Sequence, residues 1–259
     1  MRFLVAVPIY NEAATVRQVL GNIRRYASDI LVVDDGSTDE TPSLLAATPS
    51  IQCIRHHHNL GYGQSLIDAF QYAIDHGYDW VVTIDCDEQH EPARIPAFIR
   101  EARRDDADII SGSRYMQSSS AKSQAPADRK AINQTITDLL NEILKLGITD
   151  AFCGFKAYRT AALARLNLTV PGYGMPLQLW VQAARLGLRI REIPVSLIYK
   201  DPNRQFGDSL DNPTARLLYY YEVLIHALAE QMPLPAGECS GCPGPTAGTA
   251  ECESQTEPC

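Results

Sequence analysis

Two aspartates, Asp85 and Asp87, directly follow the apolar and β-branched run WVVTI at 80–84. In an extended chain residues i and i+2 project to the same side, so this D-x-D spacing can turn both carboxylates toward one cation. Gln89, two residues further on, can add a third oxygen. Hard oxygen donors of this kind suit Mg²⁺ or Mn²⁺. Such an ion, bridging a diphosphate, would neutralise the charge that develops when a nucleoside diphosphate leaves. D-x-D triplets are also common on solvated loops; this one is set apart by its place at the end of a strand-like run.

Other polar groups occupy equivalent places. The segments PIYNE (8–12), DDGSTD (34–39) and GSR (112–114) each close a run of strand character. Five such runs, FLVAV (3–7), ILVVDD (30–35), IQCIRH (51–56), WVVTID (80–85) and ADIISGS (107–113), alternate with helical stretches at 12–26, 39–47, 62–77 and 92–104. This alternation predicts a parallel sheet covered by helices. In such sheets ligands bind beyond the carboxyl ends of the strands, which is where the polar segments fall. Ser37 and Glu40 have capping-box spacing. Leu66, Phe70, Ala73 and Ile74 keep one apolar helical face. The segment between Met116 and Asp128 is Ser-rich and aperiodic, and reads as a surface loop. Helical spacing resumes at Ile132, Ile136, Leu139, Leu140, Ile143 and Leu144. A helix ending at Gly187, a strand over 188–199 and a closing helix over 214–231 complete the pattern.

Several functions are excluded. The first strand-to-helix turn has no GxGxxG, and Glu12 stands where a dinucleotide pyrophosphate would meet the helix, which argues against NAD chemistry. No basic glycine-rich loop is present to hold a triphosphate, as a nucleotidyl transferase would need. A net charge of -8 over 259 residues argues against nucleic-acid partners. No apolar run approaches the ~18 residues of a membrane span, so no transmembrane helix is expected. Cys53, Cys86 and Cys153 read as reduced thiols in a chain with no secretory signal pattern. Residues 232–259 hold Glu238, Glu251, Glu253 and Glu257 but no Lys or Arg, and are rich in Pro, Gly and Cys. Their C-x₂-C-x₉-C-x₆-C spacing is irregular for zinc. The expected organisation is one domain, 1–231, followed by a flexible acidic tail, 232–259.

The pieces VPIYNE (7–12), VVDDGSTDET (32–41), NLGYG (59–63), DCDEQHEP (85–92), GSR (112–114), DAFCGFKAY (150–158), EIPV (192–195) and RQFGDS (204–209) together resemble family 2 glycosyltransferases. Within that family the chain is similar to the dolichol- or polyprenol-phosphate mannosyl- and glucosyltransferases. The resemblance covers about residues 3–225. It implies the GT-A (nucleotide-diphospho-sugar transferase) fold, an α/β architecture with a mostly parallel central sheet and helices on both faces. It also implies metal-dependent, inverting transfer of a hexose from a nucleotide sugar, such as GDP-mannose or a UDP-sugar. Pro8, Tyr10, Glu12 and Asp35 would hold the nucleoside. Asp85, Cys86 and Asp87 would lie along the diphosphate and sugar, with Asp85, Asp87 and Gln89 on the metal. Arg114, Arg129 and Arg204 match arginines placed around the diphosphate or acceptor phosphate, a task suited to the guanidinium fork. Asp87, Arg114 and Arg204 are the catalytic candidates.

Two departures from the family bear on the acceptor. Gln178 stands where a Glu is usual, and a neutral amide cannot act as a base. A phosphate acceptor escapes this need, since its second pKa of about 6 leaves it anionic at neutral pH. Polyprenyl phosphate is therefore favoured over a saccharide hydroxyl; a catalytically silent sugar-nucleotide-binding protein is the third reading. Leu210-Asp211 stands where a Lys usually follows RxxGxS, which removes one phosphate contact. A cytoplasmic protein is expected, at most peripheral on the cytoplasmic face of the membrane. His56, His57 and His58 alternate faces if extended and read as structural or solvated rather than as a metal site.

Overall fold

The computed structural model describes residues 1–116, 126–198 and 208–230. Among these residues seven strands form one sheet: β1 (Phe3–Ile9), β2 (Ile30–Asp34), β3 (Gln52–Arg55), β4 (Trp80–Thr83), β5 (Ile109–Ser113), β6 (Lys156–Arg159) and β7 (Ile190–Pro194). Their order is β3-β2-β1-β4-β6-β5-β7. The five runs read from the sequence are β1 to β5, and all but one of the seven strands point the same way. The exception is β6, which pairs antiparallel with both β4 and β5. Its sequence, KAYR, is too short to announce its direction.

Alternation along each strand builds two cores. Leu4, Ala6, Leu31, Val33, Val81, Ile109 and Tyr158 face one side. They pack with α3 (Tyr62–Asp75), α5 (Ala127–Leu144), α6 (Thr160–Leu163), α7 (Met175–Arg185) and α8 (Pro213–Ala229). Val5, Val7, Ile30, Val32, Trp80, Val82 and Ile110 face the other side. That side is covered by α1 (Val16–Ile23), α2 (Thr41–Ala46) and α4 (Ile95–Ala102). Each large apolar side chain withdrawn from water in this way contributes about 1.5–3 kcal/mol before conformational entropy is counted. Both strand faces are therefore apolar in the sheet centre, and polar residues are pushed to its carboxyl edge.

One local expectation is overturned. Ser37 does not cap α2; the N-cap is Glu40, with no side-chain cap bond. Asp39 Oδ1 instead accepts from the Thr41 N–H, and Ser37 Oγ accepts from the Asn11 N–H. The hydroxyl is thus used to tie the loop after β2 to the loop after β1. The Ser-rich residues 117–125, Arg204 and the segment 232–259 lie outside the described residues. No helix among the described residues is long and apolar enough to cross a membrane. Cys53, Cys86 and Cys153 are free thiols.

Candidate functional site

A cavity of about 890 Å³ opens at the carboxyl edge of the sheet. From the end of β1 and the loops after β1, β2, β3 and β4 it receives Pro8, Tyr10, Asn11, Glu12, Asp35, Asn59, Gly61, Asp85, Cys86, Asp87 and Gln89. From just after β5, from α5, α7 and α8 and from the segment leading into α7 come Arg114, Tyr115, Arg129, Asn133, Tyr173, Pro176, Arg216 and Tyr220, with Phe152 from the loop before β6. Every site residue expected from the sequence that falls among the described residues lines this one cavity; Arg204 lies outside them.

The loops on the β1 side are locked to one another. Asn11 adopts a left-handed backbone (φ 54), and its Oδ1 accepts from the Thr38 and Asp39 N–H groups at 2.8 and 3.3 Å. Glu12 Oε2 accepts from the Thr15 hydroxyl at 2.8 Å. Asp35 is buried (3% exposed) and accepts from the Leu60 N–H (2.8 Å) and Gly61 N–H (2.9 Å). Gly61 has φ 107, which a side chain rarely tolerates, and a Cβ there would strike the Pro171 carbonyl. The NLG segment is thereby drawn onto the end of β2.

Asp85 and Asp87 are half-buried, in the loop after β4. The Tyr62 hydroxyl donates to Asp85 Oδ1 at 3.0 Å, and a Cβ on Gly154 would collide with the same carboxylate. Burial, then the charge of Asp85 with a smaller effect from Asp87, raise the Tyr62 phenol well above its ordinary range, so both carboxylates bear on this hydroxyl. The Gln89 N–H donates to Asp87 Oδ1 at 3.0 Å, curling the loop so that Gln89 also reaches the cavity. Two carboxylates and an amide oxygen are a hard donor set that fits Mg²⁺ or Mn²⁺. No group of three or more His, Cys, Asp or Glu suited to a metal occurs among the described residues. A cation held here would therefore share its coordination with oxygens of a ligand.

Arg114 has a partner that the sequence did not disclose. Its Nε and Nη2 donate to Asp150 Oδ2 and Oδ1 at 2.7 and 2.9 Å, a bidentate pair. Asp150 is fully buried and also accepts from Asn133 Nδ2 at 3.0 Å. Burial would raise its carboxyl, but the Arg114 charge and hydrogen bonds win and hold it at about 2. Below the site, burial lowers His90 to about 3 and raises the Cys153 thiol to about 12, so both are neutral near pH ~7.

Gln178 does not reach the cavity. It is buried within α7, where its Oε1 accepts from the Thr169 and Val170 N–H groups and its Nε2 donates to Thr169 Oγ1. It braces Thr169 and Val170 instead of facing the cavity. Several cavity residues escaped the sequence reading. Tyr62 and Tyr173 stack with ring centroids 5.5 Å apart. Arg216, 2% exposed, pairs with Asp128 at 2.7 Å and donates to the Leu210 carbonyl. The i, i+4 spacing of Arg216 and Tyr220 on the closing helix was the available signal.

Known proteins place the chain in a family. Residues 4–166 match the family described as Glycosyl transferase family 2. The undecaprenyl-phosphate mannosyltransferase of Micrococcus luteus is 32% identical over 81% of this chain and 87% of its own length. The polyprenol monophosphomannose synthase of Mycolicibacterium smegmatis is 28% identical over 77% of this chain and 78% of its own. Among solved structures, a glucosyl-3-phosphoglycerate synthase from Mycobacterium tuberculosis, in complex with Mn²⁺, UDP-glucose and phosphoglyceric acid, superposes with a TM-score of 0.71. It is 20% identical, over 90% of this chain and 81% of that one, and shares the fold. With the strand order, the rim of acidic loops and the matched residues in accord, the chain belongs to glycosyl transferase family 2 and is a glycosyltransferase.

Proposed function

We propose that this glycosyltransferase moves a hexose from a nucleotide sugar to a polyprenyl phosphate, with inversion and with the help of Mg²⁺ or Mn²⁺. Pro8, Tyr10, Glu12 and Asp35 hold the nucleoside; carboxylates there can accept from a base N–H or ribose hydroxyl while repelling phosphate. Asp85, Cys86 and Asp87 flank the diphosphate, and Asp85, Asp87 and Gln89 hold the cation. When bound, that ion neutralises charge on the departing diphosphate. Arg129 meets phosphate, as does Arg204 in the family pattern. Arg114, paired with Asp150, orients the wall beside the reacting centre and brings a guanidinium edge to the cavity.

The observation that carries the acceptor class is the distribution of carboxylates. Those lining the cavity among the described residues are Glu12, Asp35, Asp85 and Asp87, all on the loops after β1, β2 and β4. The opposite side offers Arg129, Arg216 and the rings of Tyr115, Phe152, Tyr173 and Tyr220. Such a wall suits an anionic nucleophile with an apolar chain, which needs no base. The names of the two relatives, both lipid-phosphate mannosyltransferases, support the same class. Since a polyprenyl chain resides in a bilayer, we place the protein peripherally on the cytoplasmic face. The test is a panel of radiolabelled nucleotide sugars with Mg²⁺ or Mn²⁺, offered to a short isoprenyl phosphate and to soluble saccharides in parallel. Label partitioning into organic solvent is expected. Label on water-soluble glycan, or nucleotide binding with no transfer, would overturn the acceptor assignment.

A further inference from the structure

His56 is 9% exposed, does not line the cavity and yet touches the residue assigned to the nucleoside. Its Nδ1 lies 2.7 Å from Asp35 Oδ1 and its Nε2 2.8 Å from Asp68 Oδ2. Neutral imidazole carries one N–H, so only the imidazolium can donate to both carboxylates at once. The other half of each carboxylate is also engaged. Asp68, on α3, accepts from Gln64 Nε2 at 2.9 Å, and Asp35 takes the Leu60 and Gly61 N–H groups. Asp35 Oδ1 therefore receives two donors and Oδ2 receives one. A carboxylate oxygen accepts about two hydrogen bonds, which leaves Oδ2 with room for one more.

We propose that His56 is a positioning residue for the donor nucleotide: held between Asp68 and Asp35, it fixes the Asp35 carboxylate so that one acceptor position on Oδ2 meets a single N–H or O–H of the nucleoside. The proposal rests on the reading of Asp35 as a nucleoside contact, and extends it to a residue behind the site. Asp35 and Asp68 are the charged groups that face the ring; Arg55, on β3, turns to Asp34 at 3.3 Å, and His57 and His58 are exposed. Burial pushes the imidazole down, but the hydrogen bonds and charges of Asp35 and Asp68 outweigh it and raise the group above 6.5. Donor binding should therefore weaken as pH rises through this raised value. Loss of the proton turns one of the two Asp–His contacts from donor–acceptor into acceptor–acceptor, and the grip on Asp35 loosens.

The experiment is calorimetric binding of UDP and GDP, with Mg²⁺ present, to the full chain and to His56→Gln and Asp68→Asn across pH ~6 to ~9. Steady-state kinetics accompanies it. His56→Gln is expected to weaken the preferred nucleotide on the order of tenfold, as loss of a hydrogen bond to a charged group does. Its donor KM should rise alike, kcat and acceptor KM should hold, and the pH break in affinity should vanish. Asp68→Asn, which leaves His56 in place, should move that break to lower pH. A bare structural strut would lower thermal stability without touching the pH profile. Wild-type nucleotide affinity and pH profile in His56→Gln, or an unmoved break in Asp68→Asn, overturns the proposal while leaving the donor reading intact. Failure of the wild-type protein to bind either nucleotide overturns both.

Discussion

Asp87 is held by the N–H of Gln89 and makes no contribution to either apolar core. Replacing it with alanine removes a site oxygen and little packing. Asp87→Ala is expected to abolish transfer while thermal unfolding stays within about 1 kcal/mol of wild type, as for surface changes away from the core; metal-dependent turnover in this variant would refute the role. Arg114 behaves differently, because its loss strands a buried carboxylate. Arg114→Ala is expected to cost about 3–5 kcal/mol in denaturant unfolding, and removing both charges in Arg114→Met/Asp150→Leu should recover much of it. The pair also sets an acid limit. Asp150 is depressed from 3.8 to about 2, so its contribution is complete above pH 3.8 and fades as pH falls toward 2. An acid titration followed by circular dichroism should show this loss flattened in the double variant. At this scale the sequence was half legible. Asp85, Asp87, the PIYNE residues and Asp35 could be read as cavity-lining because a strand end announces what stands at the sheet's carboxyl edge. Asp150 as partner of Arg114, 36 positions away, could not, because no local pattern links them.

Helices and strands explain why the acidic loop is steady enough to use. The start of α3 supplies Tyr62 to Asp85, and the loop before β6 presses Gly154 against the same carboxylate. Trp180 on α7 donates to the Ala151 carbonyl at 2.9 Å and holds that loop from below. Gly154→Ala should therefore displace Asp85. Activity is expected to fall at least tenfold, with a stability loss of about 1–3 kcal/mol from overpacking, measured by paired kinetics and chemical denaturation. Periodicity disclosed the α3 face and the five parallel strands, since both depend on apolar repeats. It did not disclose β6, whose direction is decided by pairing with β4 and β5. The Ser37–Glu40 spacing misled for a related reason: a tertiary donor, the Asn11 N–H, took the hydroxyl that local chemistry would have given to the helix.

Across the whole molecule, the boundary after α8 can be argued from its anchor. Arg185 on α7 donates to the carbonyls of Ala227, Leu228 and Glu230, which ties down the last turn. We place the domain at 1–231 and read 232–259 as an appendage. A chain ending after Gln231 is expected to keep the unfolding temperature and transferase activity of the full protein, whereas one ending after Tyr221 should not fold, since Val223, Leu224 and Ala227 belong to the core. Size exclusion and thermal melts would check both. Composition is what suggests this boundary in the sequence: four acidic residues without a Lys or Arg stand among prolines and glycines.

The single reversed strand restricts how this architecture can vary. Because β6 is gripped on both sides, by β4 at Thr83–Lys156 and by β5 at Ser111–Lys156, its first residue is a fixed point shared by two neighbours. Adding or deleting one residue between Phe152 and Lys156 would invert the faces of Lys156, Ala157 and Tyr158 and pull Gly154 out from under Asp85. Length drift in descendants of this chain should therefore be purged from that short stretch.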